Sequence, residues 1–235
     1  MAEFFSKLGP DIAVHTYEHV YLTVISLTLA VIIAVPLGVL LAKSRRKKLS
    51  SVVMGAANLV QTIPSLALLA LMVAVFLLIN RLYGGPKWHE TGGLLPTIGT
   101  LPAVVALVLY ALLPILRNTV TGIRQVDPAV VEVARGMGMT RRQMLTRVEL
   151  PLSLPFIMSG IRISTVWTIG IATLCGLVGA GGLGDLIMQG LRSNQLDYLL
   201  AGTVPAALLA LLFDGLMALV ERWLTPEGMR AARVN

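Results

Sequence analysis

Five apolar stretches of roughly twenty or more residues, separated by short polar segments, constrain this chain more than any other feature. They run 20–42, 52–79, 97–116, 155–178 and 198–220. A hydrocarbon layer offers no partner to a free N–H or C=O, so a spanning segment must satisfy its backbone internally, and runs of this length do so as helices. The fold class is therefore all-α, integral to a membrane, with five transmembrane helices. Composition agrees, since 56% of the 235 residues are hydrophobic and 13% charged, against about 25% charged in a soluble domain. No linker-like Pro/Gly/Ser tract divides the chain, so residues 1–235 read as a single domain.

The charges orient it. Lys43-Ser-Arg-Arg-Lys-Lys48 follows the first apolar run at once. A signal peptide has its positive charge before the apolar run, so Val20–Ala42 reads as an uncleaved span. The positive-inside rule puts Lys48 in the cytoplasm, the N-terminus outside and the C-terminus inside. Most of the nineteen Lys and Arg fall in segments this orientation places inside. The net charge of +7 does not imply nucleic acid, because the basic residues lie between apolar runs and not on one soluble face.

Several chemistries are not visible. None of the five lysines (Lys7, Lys43, Lys47, Lys48, Lys87) follows a glycine, so the chain has no Walker A phosphate cradle. Cys175 is the single cysteine, which leaves no disulfide framework and no cysteine metal site. His15 and His19 flank Glu18 at helical spacing, yet a metal site needs a third ligand. The segment before Val20 reads instead as an interfacial helix, with Tyr17 and Tyr21 in the aromatic belt. The expectation is no catalytic residue, no cofactor and no metal: the chain is not itself an enzyme.

Residues 117–154 form an Arg-rich cytoplasmic island that reads as two short helices. Asp127 is an N-cap and Pro128 takes the first helical position. Val130, Val133, Ala134 and Met137 recur at i, i+3, i+4, i+7 as one apolar face, with Glu132 and Arg135 pointing elsewhere. Gly136 and Gly138 end that helix. Thr140 with Gln143 forms a capping box for a second helix, which is expected to stop near Pro151. A side chain at Gly138 is expected to crowd the turn between them.

The pattern Glu132-Val133-Ala134, three residues, Gly138, nine residues, Val148-Glu149-Leu150-Pro151 closely resembles the cytoplasmic "EAA" loop of ABC importer permeases. It departs at Val133, usually Ala, and Val148, usually Ile. The resemblance implies the type I ABC importer permease fold over about residues 17–225, with Glu132, Val133, Ala134, Arg135, Gly136, Met137 and Gly138 coupling to an ATPase subunit. It also implies two ABC ATPase subunits that bind ATP and magnesium, a second permease (identical or paralogous), and an extracytoplasmic solute-binding protein. The location implied is the bacterial cytoplasmic membrane. Gln61-Thr-Ile-Pro-Ser-Leu-Ala-Leu-Leu69 and the run Gly179-Ala-Gly-Gly-Leu-Gly184 look like permeases for glycine betaine, choline and carnitine. Permeases for methionine or other amino acids are the alternative. An ion-gradient-driven secondary transporter is the alternative from another class; it usually shows internal repeats, and none is seen here.

Three polar features within the apolar runs remain. Gln61 and Pro64 mark either a kink packed on a neighbouring helix or a break lining the path. Gly179, Gly181, Gly182 and Gly184 literally match a dinucleotide fingerprint, but no strand precedes them. By resemblance they form a re-entrant external loop. Arg162 and Asp214 lie at similar depth in the fourth and fifth spans, and either pair with each other or face a water-filled path; pairing is favoured because it satisfies both charges.

Overall fold

Packing between helices, more than local hydropathy, sets where these helices begin and end. A computed structural model of the chain describes residues 2–44, 47–83 and 94–224. The sequence reads Arg81 to Pro96 as an external loop and Glu221 to Asn235 as a basic cytoplasmic tail; residues 84–93 and 225–235 of these lie outside the described residues. All regular elements among the described residues are helical. Among the described residues, five helices are long and apolar enough to cross a membrane, within Leu8–Lys43, Ser65–Tyr83, Thr100–Arg124, Arg141–Ala172 and Leu196–Leu224.

Helix α1, Ala2–Lys43, is a single element of 42 residues, where the sequence suggested a separate interfacial helix and then a span from Val20. Its N-terminal part is held by tertiary contact: Leu8 is buried with Leu183, Leu186 and Ala201 from distant segments. Local hydropathy cannot register such partners.

The second run is two helices, α2 (Lys47–Thr62) and α3 (Ser65–Tyr83), and only α3 has the length and apolarity of a span. Pro64 lacks an N–H and disfavours helical backbone at Ile63, so α2 ends there. The Pro64 carbonyl then accepts from Leu68 N–H at 2.9 Å in the first turn of α3.

Helix α4, Thr100–Arg124, is the central post. It runs two turns past the expected end at Leu116, because Leu116, Thr119, Val120 and Ile123 continue its buried stripe beyond the polar Arg117 and Asn118. The short helix α5 is Pro128–Gly136 and α6 is Arg141–Met144. Helix α6 does not stop at Pro151. It passes through a π turn, Leu145–Glu149, into α7, Leu150–Ala172. The Leu150 N–H reaches back to the Leu145 carbonyl, and the wider turn admits a proline that a regular ladder would exclude. At Gly160, α7 crosses α4 so closely that a Cβ would stand 2.8 Å from the Pro114 carbonyl oxygen.

Helix α7 ends at Ala172, short of the expected Val178. A 3₁₀ turn, Cys175–Val178, and the glycine run fold the chain back into α8, Leu183–Ser193. Asn194 turns it at φ 52° into α9, Leu196–Leu224. Besides the cluster at Leu8, two larger apolar clusters form the core. One centres on Leu22, Leu69 and Leu107; the other centres on Ala34, Leu41, Ile115 and Leu116.

Candidate functional site

Three polar assemblies stand out from this apolar framework. The first is the loop between α4 and α7. The Asp127 carboxylate accepts from Ala129 N–H at 2.8 Å, starting α5 behind Pro128. At its other end Met139 N–H donates to the Ala134 carbonyl at 3.2 Å and Gly138 N–H to the Arg135 carbonyl at 3.0 Å, the bond pair of a Schellman cap. Gly138 carries the left-handed φ of 78°, while Gly136 is an ordinary helical residue. A Cβ on Gly138 would meet nothing within 4 Å. The expected crowding is therefore absent, and the demand for glycine is conformational. The capping box follows: Thr140 N–H donates to Gln143 Oε1 at 2.8 Å, and Gln143 N–H to Thr140 Oγ1 at 3.3 Å.

The apolar stripe of α5 divides. Ala134 packs inward, while Val130, Val133 and Met137 are 42%, 64% and 73% exposed. That is an unpartnered apolar ridge on a two-turn helix at the mouth of the bundle. Behind it, Glu132 and Arg135 line a recess of about 290 Å³ whose other walls include Lys43, Arg124 and Glu149. The Lys43 ammonium pairs with the nearly buried Glu149 carboxylate, and Arg124 Nη2 donates to Ser50 Oγ at 3.3 Å. The loop is thus tied at its root to the C-terminal end of α1. The Lys43–Glu149 contact went unnoticed in the sequence; its signal was an acidic residue set between Val148 and Leu150 at the start of an apolar run.

The second assembly gathers around the glycine run. Gly179, Gly181 and Gly182 have φ of 71°, 79° and 86°. Gly182 N–H donates to Glu18 Oε2 at 2.8 Å, and His15 Nδ1–H donates to the same oxygen at 3.0 Å. A Cβ on Gly181 would stand 2.6 Å from Glu18 Oε2. Gly184 sits inside α8, where a Cβ would strike the Thr173 carbonyl oxygen at 2.0 Å. His19, fully buried, donates from Nε2 to the Ile169 carbonyl at 3.1 Å. Glu18, held by His15, thus ties α1 to the glycine run, and His19 ties it to α7. Nearby, burial holds the Asp185 carboxyl above its ordinary range; the charges of His15 and Arg192 oppose this and Glu18 adds to it.

The third assembly lies between α7 and α9. Arg162 donates from Nε to Asp214 Oδ1 at 2.5 Å and from Nη2 to Asp214 Oδ2 at 2.7 Å, a bidentate pair. The same pair walls an open cleft of about 530 Å³ with Ser159, Ile163, Val166, Trp167 and Glu221. Pairing and facing a cleft coexist here. Gln61 and Pro64 lie elsewhere: Gln61 Nε2 donates to the Tyr110 carbonyl at 3.2 Å, and the Tyr110 hydroxyl donates to the Ile63 carbonyl freed by the proline break. Tyr110 was not singled out in the sequence, though a hydroxyl in an apolar span always needs a partner. Among the described residues no group of three or more His, Cys, Asp or Glu could hold a metal ion.

Comparison with known proteins gives a consistent picture. Residues 34–226 match the family described as binding-protein-dependent transport system inner membrane component. The choline transport system permease protein OpuBB of Bacillus subtilis is 42% identical over 98% of this chain and 96% of its own length. The glycine betaine/carnitine/choline transport system permease protein OpuCB of Bacillus subtilis is 41% identical, over 99% and 97%. The osmoprotectant import permease protein OsmW of Salmonella typhimurium is 42% identical over 92% of each chain. Among solved structures, an inward-facing MetNI methionine ABC transporter superposes with a TM-score of 0.77 at 25% identity, covering 92% of this chain and 96% of that one.

Proposed function

This chain belongs to the family of binding-protein-dependent transport system inner membrane components, and on that premise we propose that it takes up quaternary ammonium osmoprotectants such as glycine betaine, choline and carnitine. It is a multi-pass permease of an ABC importer with the type I fold. The observation that carries the substrate reading is full-length identity above 40% to several permeases named for these solutes. The likeness to a methionine transporter supports a second reading, uptake of methionine or another amino acid.

In the proposed complex two ATPase subunits bind ATP and magnesium, and this chain binds neither. A second permease, identical or paralogous, completes the pore, and an external solute-binding protein delivers the cargo. The N-terminus lies outside and the C-terminus in the cytoplasm. The exposed ridge of Val130, Val133 and Met137 seats in the ATPase. When the ATPases close on ATP, α5 moves as a unit, because its N-cap, Schellman cap and the capping box of α6 make the loop stiff. The unbroken path from α6 through the π turn into α7 passes the movement into the bundle. Lys43 and Glu149 pass it to α1. Titration calorimetry on the cognate binding protein tests the substrate: binding of choline or glycine betaine is expected, and exclusive binding of methionine would favour the second reading.

A further inference from the structure

Two prolines and two side chains meet where the second apolar run crosses α4. Pro114 lies inside α4 and has no N–H to give the carbonyl four residues back. That carbonyl belongs to Tyr110, and it accepts instead from Gln61 Nε2 at 3.2 Å. Pro64 ends α2 at Thr62 and leaves the Ile63 carbonyl outside the helical ladder, where the Tyr110 hydroxyl donates to it. Each segment thus sends one side chain to the carbonyl that the other's proline leaves over. The lock is reciprocal, and it sits at a proline break, the place where a helix bends most readily.

The two segments that join there are held very differently. Helix α3 buries Leu68, Leu69, Phe76 and Asn80, and Asn80 Oδ1 accepts from the Leu94 and Leu95 N–H groups at 2.9 Å. In α2 only Ser50 is buried among residues 48–62, and Leu49, Val52 and Leu59 are exposed. Val53, Met54 and Ala57 lean, partly buried, on the cluster of Leu41, Ile115 and Leu116. A segment with so few buried contacts moves at low cost in free energy. Its N-terminal end has a polar tie of its own: Arg124 Nη2 donates to Ser50 Oγ at 3.3 Å. Arg124 ends α4, three residues before the Asp127 cap of α5. From Ser50 to Gln61 is about 16 Å along the helix, so α2 is a lever with a lock at one end and a handle at the other. We propose that α2 is the moving gate of the permease: it pivots on the Gln61–Tyr110–Ile63 lock while α3 stays fixed, and Arg124 passes the movement of α5 to its N-terminal end. Gln61 and Tyr110 are then positioning residues for transport. The drive at Arg124 rests on the coupling reading above.

The test uses the complete importer in proteoliposomes. Pro64→Ala restores the missing N–H, so that α2 and α3 can run on as one helix, and Tyr110→Phe removes the hydroxyl that the closed ladder no longer needs. The double variant is expected to unfold at a temperature no lower than the wild type and to lose uptake at least tenfold. A lock that only held the fold together would make stability and uptake hold or fall together. Gln61→Leu, which keeps the break, should lower the solute moved per ATP hydrolysed at least threefold. Hydrogen exchange on the wild-type importer, with and without ATP and vanadate, needs no variant. Exchange in Lys47–Thr62 should change at least tenfold between the two states, and exchange in Ser65–Tyr83 should not. Should the double variant melt early, the exchange alone decides. Wild-type uptake by a stable double variant would overturn the gate, as would an α2 whose exchange stays constant while that of α5 changes. Wild-type vesicles without ATP-driven uptake would remove the coupling reading, and the gate would fall with it.

Discussion

Gly138 and Glu149 each fix the loop between α4 and α7, for different reasons. At Gly138 the backbone holds φ 78° with open space where a side chain would go. Asn and Asp visit this left-handed region with modest strain, whereas β-branched residues do not. Gly138→Val is therefore expected to reduce uptake severely, by at least tenfold, with membrane insertion intact, while Gly138→Asn retains most activity. Equal activity of the two variants in vesicles would remove the conformational argument. Glu149 is nearly buried and its Lys43 partner half-exposed. Removing the lysine leaves a buried carboxylate unpaired, and removing the carboxylate does not. Lys43→Met should therefore destabilise the subunit more than Glu149→Gln, by about 1–2 kcal/mol once screening at the exposed ammonium is allowed for. Thermal unfolding of the two variants in detergent measures this. Asp185 gives a pH dependence outside the spans. The native state holds its proton above the unfolded value, so its contribution to stability falls as pH rises from the ordinary carboxylate pKa through the raised one. Asp185→Asn should flatten that part of the stability profile.

At the scale of elements, α5 through α7 show which features a sequence makes legible. Local chemistry was readable: the Asp127 cap, Pro128 at the first turn and the Thr140–Gln143 box are all formed as their spacing implies. What could not be read was anything decided by a distant partner. The stripe of α4 continues past Arg117 only because α1 and α7 cover it. Pro151 does not end a helix, because a π turn widens the ladder before it. Pro64 in turn breaks the second run outright, and Tyr110 of α4 supplies the donor that the break requires. The glycine run was visible as a place for unusual backbone, but its tie to Glu18 was not, since α1 lies some 160 residues earlier. The exposed ridge carries a prediction at this scale. Met137→Asp, at a position 73% exposed, should leave the fold and membrane insertion unchanged and abolish co-purification of the ATPase; undiminished co-purification would place the contact elsewhere.

For the whole molecule, the bundle gathers around α4, while α9 has only 6% of its spanning window buried. The outer surface of α9 is therefore left to lipid or to the proposed second permease. The proposed orientation predicts that a reporter fused after Lys48 reads as cytoplasmic and one inserted at Trp88 as external. The central claim is that movement made by ATP in a partner enters through α5 and drives solute across the membrane. Proteoliposomes containing the permease, its ATPase and its binding protein test this directly, with uptake of radiolabelled glycine betaine measured under ATP or under an imposed ion gradient. The account predicts uptake that requires ATP, survives ionophores, and is lost in Val133→Asp at unchanged permease content. Uptake driven by the ion gradient without ATP, or wild-type rates in Val133→Asp, would contradict it.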